Sequence, residues 1–171
     1  MMIPQLHAIE QILPEWLSSN LEQWNSLNVD YAVPVVQRLW RQFGSHRVYL
    51  HKILPHEGYS HYHPHPWPCA VKLLGGSYEM KVGFGDPHGE PPAPAAVVVL
   101  SEGSYYKMMN PNGWHAIRPL GKPSYSLMIT GLPWPDSRKE QVNFQLKPLS
   151  QDVIGVLIQE FKLIVNMDKY L

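Results

Sequence analysis

At 171 residues the chain can bury one sizeable core and is short for two, because domains cluster around ~100 to 150 residues. An apolar fraction of 44% excludes a disordered chain. Basic and acidic residues number 14 each, with no block of like charge, so no nucleic-acid footprint is advertised.

The longest apolar runs, such as Ala95 to Leu100, fall far below the ~20 residues that a membrane helix needs, and no membrane association is expected. The opening stretch MMIPQLHAIEQILPEW lacks a basic leader followed by an apolar run. Cys69 is the only cysteine, so no disulfide can form within the chain. Both features point to the cytoplasm.

A single domain over 1–171 is expected, with an N-terminal helical segment at 1–44, a β core at 46–132 and a C-terminal helix at 150–168. In the first segment Leu6, Ile9, Ile12, Leu13, Trp16, Leu17, Leu21 and Trp24 recur at helical spacing. Pro14 interrupts the run, which predicts two short helices. A third is predicted from Pro34 through Val36, Leu39, Trp40 and Phe43, with Gly44 placed to end it.

The period then changes to two. HRVYLHKIL at 46–54, CAVKLLGGSYEMKVGF at 69–84, AAVVVL at 95–100, SYYKMM at 104–109, HAIRPL at 115–120 and SYSLMITGL at 124–132 read as short strands divided by Gly, Pro and Asn. Such spacing argues for an antiparallel sandwich or barrel. The proline-rich stretch at 85–95 reads as a loop joining two strands. From Gln151 to Ile164 an apolar stripe of Val153, Ile154, Leu157, Ile158, Phe161 and Ile164 predicts a helix on the sheet or on a second subunit.

Chemistry concentrates in HYHPHPWPC at 61–69. On an extended strand His61, His63 and His65 point one way, while Pro64, Pro66 and Pro68 delete backbone donors. The segment is therefore an edge strand or a strand entry. Imidazoles at i and i+2 start ~6.6 to 7 Å apart, close enough to converge on one ion at ~2.0 to 2.1 Å. His61 and His65 are too far apart to do so, which leaves His61 with His63, or His63 with His65. PNGWHAIRP at 111–119 is a turn followed by a strand, and a hairpin there would bring His115 in as a third ligand.

These two stretches resemble the cupin family. Gly58, His61, His63, His65, Val71, Leu73, Leu74, Gly75 and Gly76 follow its first motif, and Gly103, Pro111, Gly113 and His115 its second. The resemblance covers roughly residues 46 to 132 and implies a mainly β chain: a cupin-type antiparallel β-barrel or jelly roll with N-terminal helices and a C-terminal helix. The glutamate ligand of the first motif is absent, and Pro119 stands where the second motif carries Asn. A three-histidine set is also similar to the cysteine dioxygenase branch of that family, in which a Cys precedes an apolar run like CAVKLLGG. Thr130 stands where that branch has its cross-linking tyrosine, so cysteine itself is a doubtful substrate.

The implied cofactor is one divalent metal ion, Fe(II) first, with zinc or nickel as alternatives. Three neutral imidazoles on one face leave positions at which a substrate and O2 could bind, so the expected activity is a mononuclear non-haem iron dioxygenase for a small polar molecule. A non-catalytic metal-binding or ligand-binding module and a metal-dependent isomerase remain as alternatives. Cys69, Trp67, Tyr78 and Trp114 are the expected substrate contacts, although each also fits ordinary packing. Arg118 could clamp a carboxylate, but its odd offset from His115 turns it outward, as alternation does for Glu79. His51 and His56 read as surface histidines. The terminal helices and the resemblance both hint at a homodimer.

Overall fold

A computed structural model describes residues 2–19, 21–135 and 146–167. Helix α1 (Ile3–Ser18) is followed by a 3-10 turn (Leu21–Gln23) and by strands β1 (Asn25–Val29), β2 (Val36–Phe43) and β3 (His46–Ile53). Then come β4 (His63–Pro64), β5 (Cys69–Gly75), β6 (Ser77–Phe84), β7 (Ala96–Ser101), β8 (Tyr105–Met108), β9 (Gly113–Pro119), β10 (Ser124–Thr130) and helix α2 (Gln151–Met167).

The strands build two antiparallel sheets that are not closed into one barrel. The larger runs β1-β2-β3-β10-β5-β8 and the smaller β4-β9-β6-β7. The expected run at 69–84 breaks at Gly76, whose φ of 77° turns the chain from the larger sheet into the smaller. A Cβ there would meet the Pro123 carbonyl at 2.7 Å, so the turn requires glycine. The 85–95 loop joins β6 to β7, as its composition predicts.

Two expectations for the N-terminal segment are overturned. Pro14 lies inside one continuous helix, in which Leu6, Ile9, Leu13 and Leu17 form the buried stripe. Residues 34–43 form no third helix; β2 occupies 36–43 and pairs with β3 from Val36↔Ile53 to Phe43↔His46. The misleading signal has a physical source. Leu39 packs toward the helices and Trp40 toward the opposite face, while Gln37 and Arg41 share the first face and Arg38 and Gln42 the second, so β2 shows no alternation. Gly44 does take a positive φ, 57°, but in a hairpin turn.

The larger sheet has a layer on each side. Leu39, Val48, Leu50, Ala70, Leu74, Leu127 and Ile129 point to α1 and α2 and join Leu13, Leu157 and Phe161 in the main core. Each such fully buried Leu or Phe contributes about 1.5–3 kcal/mol. The apolar stripe of α2 thus packs on the sheet of its own chain. Residue 168, the last of the expected C-terminal helix, lies outside the described residues. The opposite face carries Tyr49, Cys69, Val71 and Met128 and looks toward the smaller sheet. The histidine stretch lies between these sheets.

Candidate metal centre

Strand β4 is the edge of the smaller sheet and pairs only with β9, His63 opposite His115 and Pro64 opposite Trp114. The prolines explain this placement, since a strand lacking alternate donors cannot be paired on both edges. After His65 the chain crosses to the larger sheet, pinned where Trp134 N donates to Pro66 O at 2.9 Å and Gly131 N to Pro68 O at 2.9 Å. His65 thus sits on the crossing, beside the His63–His115 pair.

The three rings converge. Ring centroids are 5.0 Å apart for His63 and His115, 4.7 Å for His65 and His115, and 5.4 Å for His63 and His65. One nitrogen of each lies within 4.8 Å of the others, and the Nε2 atoms of His65 and His115 are 2.8 Å apart. Two ligands at ~2.0 to 2.1 Å from one ion, at right angles, would have nitrogens about 2.9 Å apart. The spacing fits a shared divalent ion. His63 Nδ1 donates to the His61 carbonyl at 3.1 Å, which leaves Nε2 as its lone-pair nitrogen. Burial pushes His63 down to about 4 and His65 to about 3, and holds His115 well below 6.5. All three are neutral at pH 7, the form that binds a metal.

His61 is exposed, stacked on the His63 ring at 4.7 Å, and outside the converging group. Of the two pairings open at the level of sequence, the geometry brings together His63 and His65.

No known protein-family profile matches the chain, and no curated protein matches it either. Among solved structures it is similar to Fe(II) HppE, at 15% identity over 64% of this chain and 56% of that one, with a TM-score of 0.50. Looser likenesses are to hydroxypropylphosphonic acid epoxidase from S. wedmorenis, at 18% identity over 64% and 56% of the two chains and a TM-score of 0.48, and to KdgF from Halomonas sp., at 15% identity over 66% and 89% and a TM-score of 0.46. The chain has the cupin fold. It spans 56% of the length of the HppE chain. At such identities the likeness speaks to fold, and chemistry is read from the residues.

On this cupin fold the expected substrate contacts separate. Trp67 stands edge-on to His65, ring centroids 6.5 Å apart, and packs against the Tyr49–Cys69–Val71–Met128 cluster, so it walls the site. Cys69 is buried, with Sγ 3.6 Å from His65 Nδ1, and burial pushes its thiol up to about 12. It touches the back of His65 as a protonated thiol. Tyr78 is not brought to the histidines: His115 pairs with Val82, and Tyr78 lies four residues farther along β6, in a cluster with Leu73 and Met80. Trp114 is also turned away. As the strand neighbour of His115 it projects to the other face, packs on Tyr62 at 5.6 Å and donates Nε1–H to Gly85 O at 3.3 Å. Arg118 and Glu79 pair at 3.1 Å on the outer face, as their offsets predict.

Sequence reasoning missed three side chains of the inner wall. Tyr106, on β8, has its ring 6.3 Å from His115. His51, read as a surface residue, is 7% exposed, and its Nε2 has no hydrogen-bond partner among the described residues. Its alternation with Val48 and Leu50 was the available signal. Arg38 lay in the segment read as helix. It stands opposite His51 across the β2–β3 register, with its guanidinium 5.2 Å from the Tyr49 ring centre.

Proposed function

We propose that this chain is a mononuclear metal-dependent cupin enzyme, in which His63, His65 and His115 hold one divalent ion, Fe(II) in the first place, and a small polar molecule is oxidised with O2. The observation that supports the reading is the convergence of three neutral imidazoles from two distant segments within 4.8 Å. A set without a carboxylate carries no charge of its own and leaves coordination positions for substrate. When bound, a ferrous ion supplies the redox chemistry that no side chain here offers.

The protein's part is positioning. The His61 carbonyl fixes the His63 tautomer, the Cys69 thiol backs His65, and the β4–β9 register holds His63 against His115. Trp67 and Tyr106 close the site on its apolar side, excluding water that would compete for the open positions. The homodimer and cytoplasmic location expected from sequence belong to this proposal as well.

Metal analysis of protein purified without added ions tests the reading. About one equivalent of iron, lost in His115→Ala with the circular dichroism spectrum unchanged, is the expected result, together with O2 uptake in the presence of a thiol, diketone or aromatic substrate. Metal retained by His115→Ala would refute the ligand set. Stoichiometric metal without turnover across the panel would favour a non-catalytic binding module.

A further inference from the structure

Among the described residues the two open sheets have four outer strands, β1 and β8 in the larger and β4 and β7 in the smaller. An outer strand offers unpaired N–H and C=O groups to any other chain, and proteins blunt such an edge with proline, charge, shortness or a cover. Three of the four are blunted. β1 is covered where Asn28 N donates to Lys147 O at 2.8 Å. β4 has two residues, one of them Pro64, and runs on into Pro66 and Pro68. β8 has four residues, with Lys107 exposed among them.

β7 carries no such device. Its six residues, Ala96–Ser101, include no proline and no charge. Val97 is 53% exposed, Val98 38% and Val99 66%, and since successive side chains point to opposite sides, the strand is open on both faces. The bonds at its ends, Ala95 N to Val82 O and Glu102 N to Gly76 O, return to the β6 side. Among the described residues no backbone hydrogen bond outside the β6 ladder reaches residues 96–100.

The neighbouring strand indicates what fits this edge. On the outer face β6 sets Lys81 beside Val97 and Glu79 beside Val99. Lys81 makes no ion pair among the described residues, and its ammonium lies 5.6 Å over the Tyr59 ring. With a second β7 laid antiparallel and Val98 on the two-fold axis, Val97 stands opposite the partner's Val99. One row across the junction then reads Lys81, Val97, the partner's Val99 and the partner's Glu79, and the next row is its reverse. Opposite charges end both rows. An axis at Val97 would end a row in two lysines, and an axis at Val99 in two glutamates. The edge is therefore self-complementary in one register, as a two-fold interface requires. A chain of zero formal charge adds no general repulsion between copies.

We propose that β7 is a homodimer interface: it pairs antiparallel with β7 of a second copy about an axis at Val98, and joins the two four-stranded sheets into one of eight strands. The inference goes beyond the proposed function and does not depend on the metal. β4 forms the opposite edge of the sheet, so both histidine groups stay clear of the junction. A ladder this short buries little area, and the dimer exchanges with monomer at micromolar concentration.

Sedimentation velocity of the whole metal-free chain, from about 1 to about 300 µM, tests the interface. A reversible monomer–dimer equilibrium is expected. Val99→Lys alters a side chain that is already exposed in a single copy and sets a second cation in the row that ends in the partner's Lys81. It should weaken dimerisation by about tenfold or more, with the circular dichroism spectrum unchanged. Val98→Cys should cross-link to its own copy on mild oxidation, because residues opposite each other have Cα atoms ~4.5 to 5.5 Å apart. Val97→Cys, displaced to ~8 Å from its own copy, should not. Cys69 is buried and does not compete. A chain that stays monomeric over the whole range overturns the interface and leaves the edge to some other partner. A dimer unchanged in Val99→Lys but lost in Leu163→Lys also overturns it, and places the second copy on the exposed side of α2, where Val156 and Leu163 lie. Cross-linking through Val97→Cys and not Val98→Cys refutes the register. None of these results bears on the histidine group.

Discussion

The Nε2 atoms of His65 and His115 face each other at 2.8 Å, although 50 residues separate them in sequence. The contact exists because β4 pairs with β9 one residue short of the crossing that carries His65. His61 takes no part in it and is exposed beyond the His63 ring. His65→Ala should therefore lose bound metal by about tenfold to a thousandfold in affinity, whereas His61→Ala, whose backbone carbonyl still accepts from His63, should stay within about threefold. Competition with a chromophoric chelator measures both. Metal lost in His61→Ala and kept in His65→Ala would return the ligand pair to His61 and His63.

Acid should destabilise the metal-free protein in a defined window. Unfolded imidazoles take up protons near pH 6.5. In the folded chain His63 is pushed down to about 4 and His65 to about 3, and His51 and His115 are also held well below 6.5, in each case mainly by burial. A depressed folded pKa gives a contribution to stability that is complete above the unfolded value. It is lost as pH falls from about 6.5 toward the folded values. The urea midpoint of metal-free protein should hence decline steadily from about pH 7 to about pH 4.5, with bound metal protecting it in the upper part of that range. A flat profile across this window would contradict the burial of these rings.

How far this could be read beforehand depended on which faces an element buries. The strands from β3 to β10 announce themselves through short runs rich in Val, Ile, Tyr and Leu and through turns such as Gly103 and Asn112–Gly113. β2 does not, because Leu39 and Trp40 lie on different faces and each shares its face with polar residues. Losing β2 also hid Arg38, and with it the significance of His51 directly opposite. At the centre itself, spacing and proline placement marked His61, His63 and His65 with His115 and left the pair open, and the fold brings His63 and His65 to His115. Trp114 was legible in principle, since strand alternation that turned Arg118 outward turns Trp114 outward too. Tyr78 shares the inner face but is four residues from the level of His115, a distance that only register reveals.

Gly83 reports on packing outside the centre. A Cβ at this position would overlap the Tyr62 hydroxyl and meet the Ala93 carbonyl at 3.1 Å. Tyr62 in turn leans on Trp114, the strand neighbour of His115. Gly83→Ala should destabilise the protein by about 1–3 kcal/mol, the range for overpacking. In a Tyr62→Phe background, where the hydroxyl is gone, the same substitution should cost less. A double-mutant cycle from urea unfolding reads the difference, and purely additive effects would show that the clash is not with Tyr62.

Phe161 tests the separation of the two layers. It is wholly buried in the cluster that joins α1, α2 and the outer face of the larger sheet, with its ring 5.5 Å from Tyr125 in an edge-to-face contact. The histidines lie on the opposite face of that sheet, beyond Cys69 and Val71. Phe161→Ala should cost about 3–5 kcal/mol through the cavity it leaves. Below its lowered melting transition, metal stoichiometry should be unchanged, because β4 and β9 make no contact in that cluster. The two readouts are therefore expected to diverge. Metal loss in step with stability, at temperatures where the variant is still folded, would mean that the helical layer positions the histidines and that the sheet does not insulate one face from the other.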